Sequence, residues 1–414
     1  MFRMTILFAL LGLAAGNLPV NQEVLSNPQE LLALYSKYQR TFPRPDAPLA
    51  ERRFRLKLFK NAARFVVRQN AEKEWRSALN QFSDMTEEEA RAYEGVNMTS
   101  LPDLQHAPQH DKKLSADFQY PSQKLWLDST MEPLDQGNCG SCWIFGSLST
   151  LEGRYHQLSG KLKRFSVQQM LDCVFAWRQD KGCGGGANYC TYSYLKQGHP
   201  LVRAADYPAY QAKENECRQD RYADALISAK VKGWIYTHPT EEGLLVALSQ
   251  GPTAVSFETT AAFRAYSGGV IRDDSCLGKM TTHAVAAVGY TPAYILIKNS
   301  WGTGWGEHGF VKFGRHHHGC LLFTKPIYPV LEETGVRDGQ SGERPTGYSP
   351  REEVPLPQPV CKDEYPSWWC NSSACSNSEK ANDCRKTCKR CSFDKDTCPR
   401  GENMCRDATC SAGC

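Results

Sequence analysis

Apolar and polar positions change rhythm several times along the chain. Behind Arg3, Ile6 to Ala15 is an unbroken apolar run of ten that ends in the small residues Ala14-Ala15-Gly16. That is the pattern of a secretory leader over residues 1–16, too short to span a bilayer. From Pro28 to Tyr93 the spacing turns helical and charged. Glu51, Arg55, Phe59, Ala62, Val66 and Asn70 recur at steps of four, four, three, four and four, so one helix carries them on one face. A second helical pattern, Leu148, Leu151, Tyr155 and Leu158, follows directly on a Gly/Asn/Cys loop at 136–141. The next half changes to strands. Val231–Tyr236 and Thr253–Phe257 alternate, and 282–290 reads as a buried strand with His283 near its start. After Leu331 the patterning stops. Five prolines between Pro345 and Pro359 mark an extended linker over 331–360.

Composition changes this picture in one respect. The chain has 414 residues, room for two or three domains, and eighteen cysteines. Ten of them crowd into the last 54 residues, from Cys361, which reads as a small disulfide-rich tail made in an oxidising compartment. The net charge of +4 gives no argument for nucleic acid or for an anionic membrane surface. No later stretch reaches 18 apolar residues, so no membrane span is expected.

The chemistry centres on Cys142. It stands at the start of the second helix, where unpaired N–H groups and the positive dipole end favour a thiolate. Cys139-Gly140-Ser141-Cys142 also fits a redox dithiol or half a zinc site. The zinc reading needs a second pair at matching spacing, and none lies nearby. Cys139-Gly140-Ser141-Cys142-Trp143 resembles the active-cysteine signature of papain-family proteases of the cathepsin L type. Gly182-Cys183-Gly184-Gly185-Gly186, His283, and Ile297-Lys298-Asn299-Ser300-Trp301-Gly302 follow in the order and spacing of that family. The helix face at 51–70 and Ala78-x-Asn80-x-Phe82-x-Asp84 resemble the two motifs of its inhibitory propeptide, with Ala62, Val66 and Ala78 as departures.

The resemblance implies an α+β, papain-like two-domain fold: a helical left half, a β-barrel-like right half and a cleft between. It implies a Cys142 nucleophile, a His283 acid/base, Asn299 holding the imidazole and Gln136 donating to the oxyanion. It further implies Gly185, Gly186, Trp301, Ser256 and Lys325 as substrate-binding positions. Of these, Trp301 covers the His283–Asn299 bond from water and Lys325 lies at the far end of a specificity pocket. Bridges Cys139–Cys183, Cys173–Cys217 and Cys276–Cys320 are implied, which leaves Cys190 as a free thiol. The domains expected are a signal peptide 1–16, propeptide 17–118, catalytic domain 119–330, linker 331–360, an ShK-toxin-like domain 361–391 and a partial Cys-rich unit 392–414.

The tail's resemblance implies bridges Cys361–Cys391, Cys370–Cys384 and Cys375–Cys388, with no partner identified for it. Asn97 and Asn371 open glycosylation sequons. His316-His317-His318 reads as a surface turn and not a metal site; no cofactor and no metal are expected. The function expected is a secreted, or alternatively lysosomal, endopeptidase acting on polypeptides and held latent by its own propeptide. The alternative is a catalytically silent secreted binding protein that presents the tail.

Overall fold

The computed structural model describes residues 16–96, 120–178, 182–226, 228–278, 280–317 and 319–334. The expected leader up to residue 15, both sequons and the Cys-rich tail lie outside the described residues.

The first unit is helical: α1 (Gln22–Ser26), α2 (Pro28–Thr41), α3 (Leu49–Glu72), the short strand β1 (Arg76–Ser77) and α4 (Glu87–Arg91). Asn27 caps α2 through its side-chain oxygen, with Pro28 in the first turn where no N–H is missed. The face read from the sequence on α3 is the packed one. Phe59 is fully buried between the rings of Tyr35 and Tyr38, and Ala63, Val66, Leu31 and Leu79 complete that core. Its polar members brace neighbours. Arg55 binds Glu51 on its own helix and Glu89 on α4. Asn70 brackets Ser77, donating to its carbonyl at 3.0 Å and accepting its N–H at 2.7 Å. Ala62 and Val66, with Phe65 and Phe82, line a cavity of about 280 Å³ against the short helix that ends at Arg264.

The second unit begins with β2 (Lys124–Leu125) and α5 (Cys142–Ser159), which ends at Gly160 in the left-handed region. Then come α6 (Val167–Arg178), α7 (Asn188–Lys196), β3 (Ala229–Tyr236), α8 (Glu241–Gln250), β4 (Thr253–Phe257), α9 (Ala261–Arg264), β5 (Tyr266–Gly268) and β6 (Val270–Ile271). The chain closes with β7 (His283–Tyr290), β8 (Tyr294–Lys298), β9 (Phe310–Gly314) and β10 (Ile327–Glu333). One sheet runs β3-β10-β4-β7-β8-β9-β6, with β2 added beside β7. Among the described residues β3 and β6, at the two ends, do not pair, so the barrel-like right half is an open sheet and not a closed barrel. Two-residue β6 is already held by β9 and offers too little edge to close it.

Helix α5 packs on β7, so that the cysteine helix and the histidine strand share one interface. Gly146 permits the approach: a Cβ there would stand 3.1 Å from the Val285 carbonyl oxygen. The two units are joined by a strand pair, β1 with β5, matching Arg76 to Gly268. Bridges join Cys139 to Cys183, Cys173 to Cys217 and Cys276 to Cys320. The expectation for Cys190 is corrected. It is disulfide-bonded and fully buried on α7, where no free thiol is exposed; Cys142 is the free cysteine of the described chain.

Candidate active site

Cys142 is the first residue of α5, and its sulfur accepts the Ala284 N–H at 3.4 Å. Ala284 follows His283 on β7, so the strand that carries the imidazole also supplies a donor to the thiol. His283 and Asn299 meet through Nε2 and Oδ1 at 2.7 Å. The Ser300 N–H also donates to that Oδ1, at 2.8 Å. Two donors on one atom identify it as the amide oxygen, so Nε2 carries the proton and Nδ1 is the bare nitrogen. Nδ1 has no hydrogen-bond partner. Trp301 is buried with its ring centre 4.8 Å from that of His283.

Gln136 is fixed from four sides. Its N–H donates to the Ser300 carbonyl at 2.8 Å and its carbonyl accepts from the Tyr210 hydroxyl at 2.8 Å. Its Oε1 accepts from the Ser300 hydroxyl at 2.6 Å, which turns Nε2 toward the Cys139 carbonyl at 2.8 Å. Ser300 thereby orients two site residues, Gln136 and Asn299. Sequence reading missed it, although it sits inside the Asn-Ser-Trp segment.

The cleft is filled by the chain's own segment 93–96. The Tyr93 carbonyl oxygen accepts from Gln136 Nε2 at 3.0 Å. The Gly95 carbonyl accepts from the Gly186 N–H at 2.8 Å, and Gly95 and Val96 donate to the Thr282 carbonyl at 3.0 and 3.1 Å. Gly185 has φ +114, and a Cβ there would stand 2.8 Å from the Gly95 oxygen. Phe82 packs on Trp301 at 4.7 Å, and Gln81 donates to the Trp301 carbonyl at 3.1 Å. Arg264 reaches Glu87 at 2.6 Å and Glu94 at 2.8 Å.

Covering the site changes its electrostatics. Burial pushes the Cys142 thiol up to about 12, outweighing the N–H groups of Ala284, Gly95 and Trp143. Burial also pushes His283 down to about 4, against the opposing effects of Asn299 and the Tyr93 backbone. The charged pair expected from the helix N-terminus is therefore absent in this form: both groups are neutral, because burial penalises each charge.

Ser256, on β4, is buried and donates to Asn188 Oδ1 at 3.3 Å; it is paired with Ala284 on β7. Ile327 pairs with Ala254 on the same strand. Lys325 stands in the bend two residues before β10, outside that ladder. Its ammonium is half-buried, and burial lowers its pKa. His316 and His317 lie beside Glu241 and Asp274, and no metal-binding cluster occurs among the described residues.

Residues 121–330 match the model of the papain family cysteine proteases. A cathepsin L-like proteinase of Fasciola hepatica is 36% identical over 263 residues, 61% of this chain and 78% of that protein. Papain of Carica papaya is 30% identical over 337 residues, 78% of this chain and 95% of that protein. The structure of digestive procathepsin L2 from Tenebrio molitor larval midgut superposes with a TM-score of 0.65 at 28% identity, covering 72% of this chain and 99% of that one.

Proposed function

Because the chain belongs to the papain family of cysteine proteases, we propose that it is an endopeptidase made as a latent precursor, with Cys142, His283, Asn299 and Gln136 as its working set. One observation carries the reading. Segment 93–96 lies where a peptide substrate belongs, with one carbonyl on Gln136 Nε2 and another on the Gly186 N–H.

Once that segment leaves, water returns and the charged pair can form. His283 Nδ1 takes the thiol proton, and Cys142 Sγ attacks the scissile carbonyl carbon. Gln136 Nε2 and the Cys142 N–H receive the oxyanion. As the C–N bond breaks, Nδ1 returns its proton to the leaving amine and a thioester remains. Water then adds to the thioester carbonyl, giving up its proton to Nδ1; the C–S bond breaks, the carboxylic acid leaves, and Nδ1 returns the proton to the sulfur. Asn299 keeps the ring in the plane this exchange needs.

Gly185, Gly186, Trp301, Ser256 and Lys325 face the substrate in this reading. Residues 17–118 form the propeptide and 119–330 the enzyme. The leader pattern at 1–16 and the cysteine usage support secretion, with the lysosome as the other destination. The tail from Cys361 is a binding or stabilising appendage.

The test is hydrolysis of internal peptide bonds by the purified precursor before and after acidification, beside Cys142→Ala. Activity should arise on acidification and be absent from the variant. A precursor that never cleaves a peptide at any pH, yet still folds, would establish the silent binding protein instead.

A further inference from the structure

Behind Asn299, between α5 and β8, lies a cavity of about 10 Å³, the size of a single water. Its wall includes Ser149, Glu152, Arg164, Lys298 and Asn299. Glu152 and Lys298 are both buried, at 4% and 6% exposure. Glu152 belongs to the helix that begins with Cys142, nearly three turns further on. Lys298 ends β8, immediately before Asn299. Glu152 Oε1 accepts the Phe165 N–H at 2.9 Å. The Lys298 ammonium makes no direct ion pair or hydrogen bond among the described residues, although Glu152 and Arg164 both act on its charge.

Asn299 has an unmet need on the same wall. Its Oδ1 is taken by His283 and Ser300, while Nδ2 is buried without a partner. A buried amide donor calls for an acceptor, and water in an adjoining polar cavity serves as one.

We propose that Glu152 and Lys298 are positioning residues: acting through water in this cavity, their opposite charges hold the Asn299 amide, and with it the His283 ring, across the junction of α5 and β8. Neither touches the substrate. The inference rests on the protease reading. Charge matters to it. Burial lowers Lys298 to about 8, opposed by Glu152 and assisted by Arg164. Burial also raises Glu152, opposed by Lys298, the Phe165 N–H and Arg164. As pH rises through about 8 the ammonium is lost, the pairing with it, and turnover should fall.

The experiment uses full-length precursor, acid-converted, with active sites counted by a covalent thiol reagent. For Glu152→Gln and Lys298→Met, kcat per counted site should fall about 10-fold or more while KM stays within about two-fold. In Glu152→Gln the alkaline limb of kcat should also move to lower pH, because Lys298 has lost the carboxylate that holds its proton. Unchanged kcat per counted site, with only a lower melting temperature or fewer sites, overturns the proposal. If Glu152→Gln does not fold, Lys298→Met alone decides on the same kcat and KM criteria. A wild type without a countable, active Cys142 overturns the protease reading and this one together.

Discussion

Burial sets Cys142 and His283 in the opposite protonation states from those that attack requires. With the thiol pushed up to about 12 and the imidazole down to about 4, the precursor holds a neutral pair. Alkylation of Cys142 at pH about 6 should therefore be at least ~100-fold slower in the precursor than at an ordinary exposed cysteine, and fast after conversion. Equal rates before and after conversion would contradict this assignment. Lys325 is the other residue whose charge a measurement can test. Opposite unit charges at about 4 Å attract by about 1 kcal/mol in water and about 4 at an effective dielectric of 20. A half-buried ammonium lies between these limits. The converted enzyme should therefore favour Glu over Arg, by about ten-fold or more, two residues before the scissile bond. Lys325→Glu should reverse the order; an unchanged ratio means that the side chain does not meet substrate. Cys142, Gln136, His283 and Asn299 were legible because each sits in a short motif at family spacing. Ser300 was not, because its importance lies in a contact with Gln136, distant in sequence. Cys190 was misread because motif positions assign partners only to cysteines that the motifs contain.

Element by element, helical and strand periods gave good guidance where one face is buried. The α3 face from Glu51 to Asn70 packs or braces along its length, and β7 is buried throughout. The stretch 93–96 has no period to read, and its place is set by what it touches. Gly95 shows how tightly. A Cβ there would stand 1.8 Å from the Gly140 carbonyl oxygen, which belongs to the loop held by the Cys139–Cys183 bridge. The only relief is displacement of the segment. Gly95→Ala precursor should accordingly hydrolyse a small peptide at neutral pH, where the parent stays silent, with Tyr93 no longer seated on Gln136. A variant as silent as its parent would mean that the segment does not impose latency.

At the scale of the whole molecule, two carboxylates that brace the closed form titrate in opposite directions. Glu89 is held down to about 2, first by its hydrogen bond to Arg55, from an ordinary value of 4.5. A lowered carboxylate stabilises the packed form above its free pKa, and that contribution drains away as pH falls from about 4.5 toward 2. Glu94 runs the other way. Burial raises it despite Thr259 and Arg264, so its protonated form suits the closed cleft and acid does not loosen it. Of the two carboxylates, the acid-sensitive one is therefore Glu89 between α3 and α4, and not Glu94 in the grip of Arg264; buried His283, held down to about 4, adds its own loosening of the cleft as pH falls from about 6.5 toward 4. Release on acidification should begin with loss of propeptide packing, after which segment 93–96 has nothing to hold it in place. Because Glu89 is partly exposed, the link is modest and its loss graded with pH. Glu89→Gln should convert faster than the parent above pH about 5 and show a flatter pH dependence below about 4, where His283 has already taken its proton and Glu89 is the group still titrating. Glu94→Gln, which keeps a hydrogen-bonding group for Arg264, should keep the parental pH dependence. Conversion half-times followed on gels across that range separate the two sites. Parental pH dependence in Glu89→Gln, or its disappearance in Glu94→Gln, would move the acid trigger from the α3–α4 link to the cleft itself.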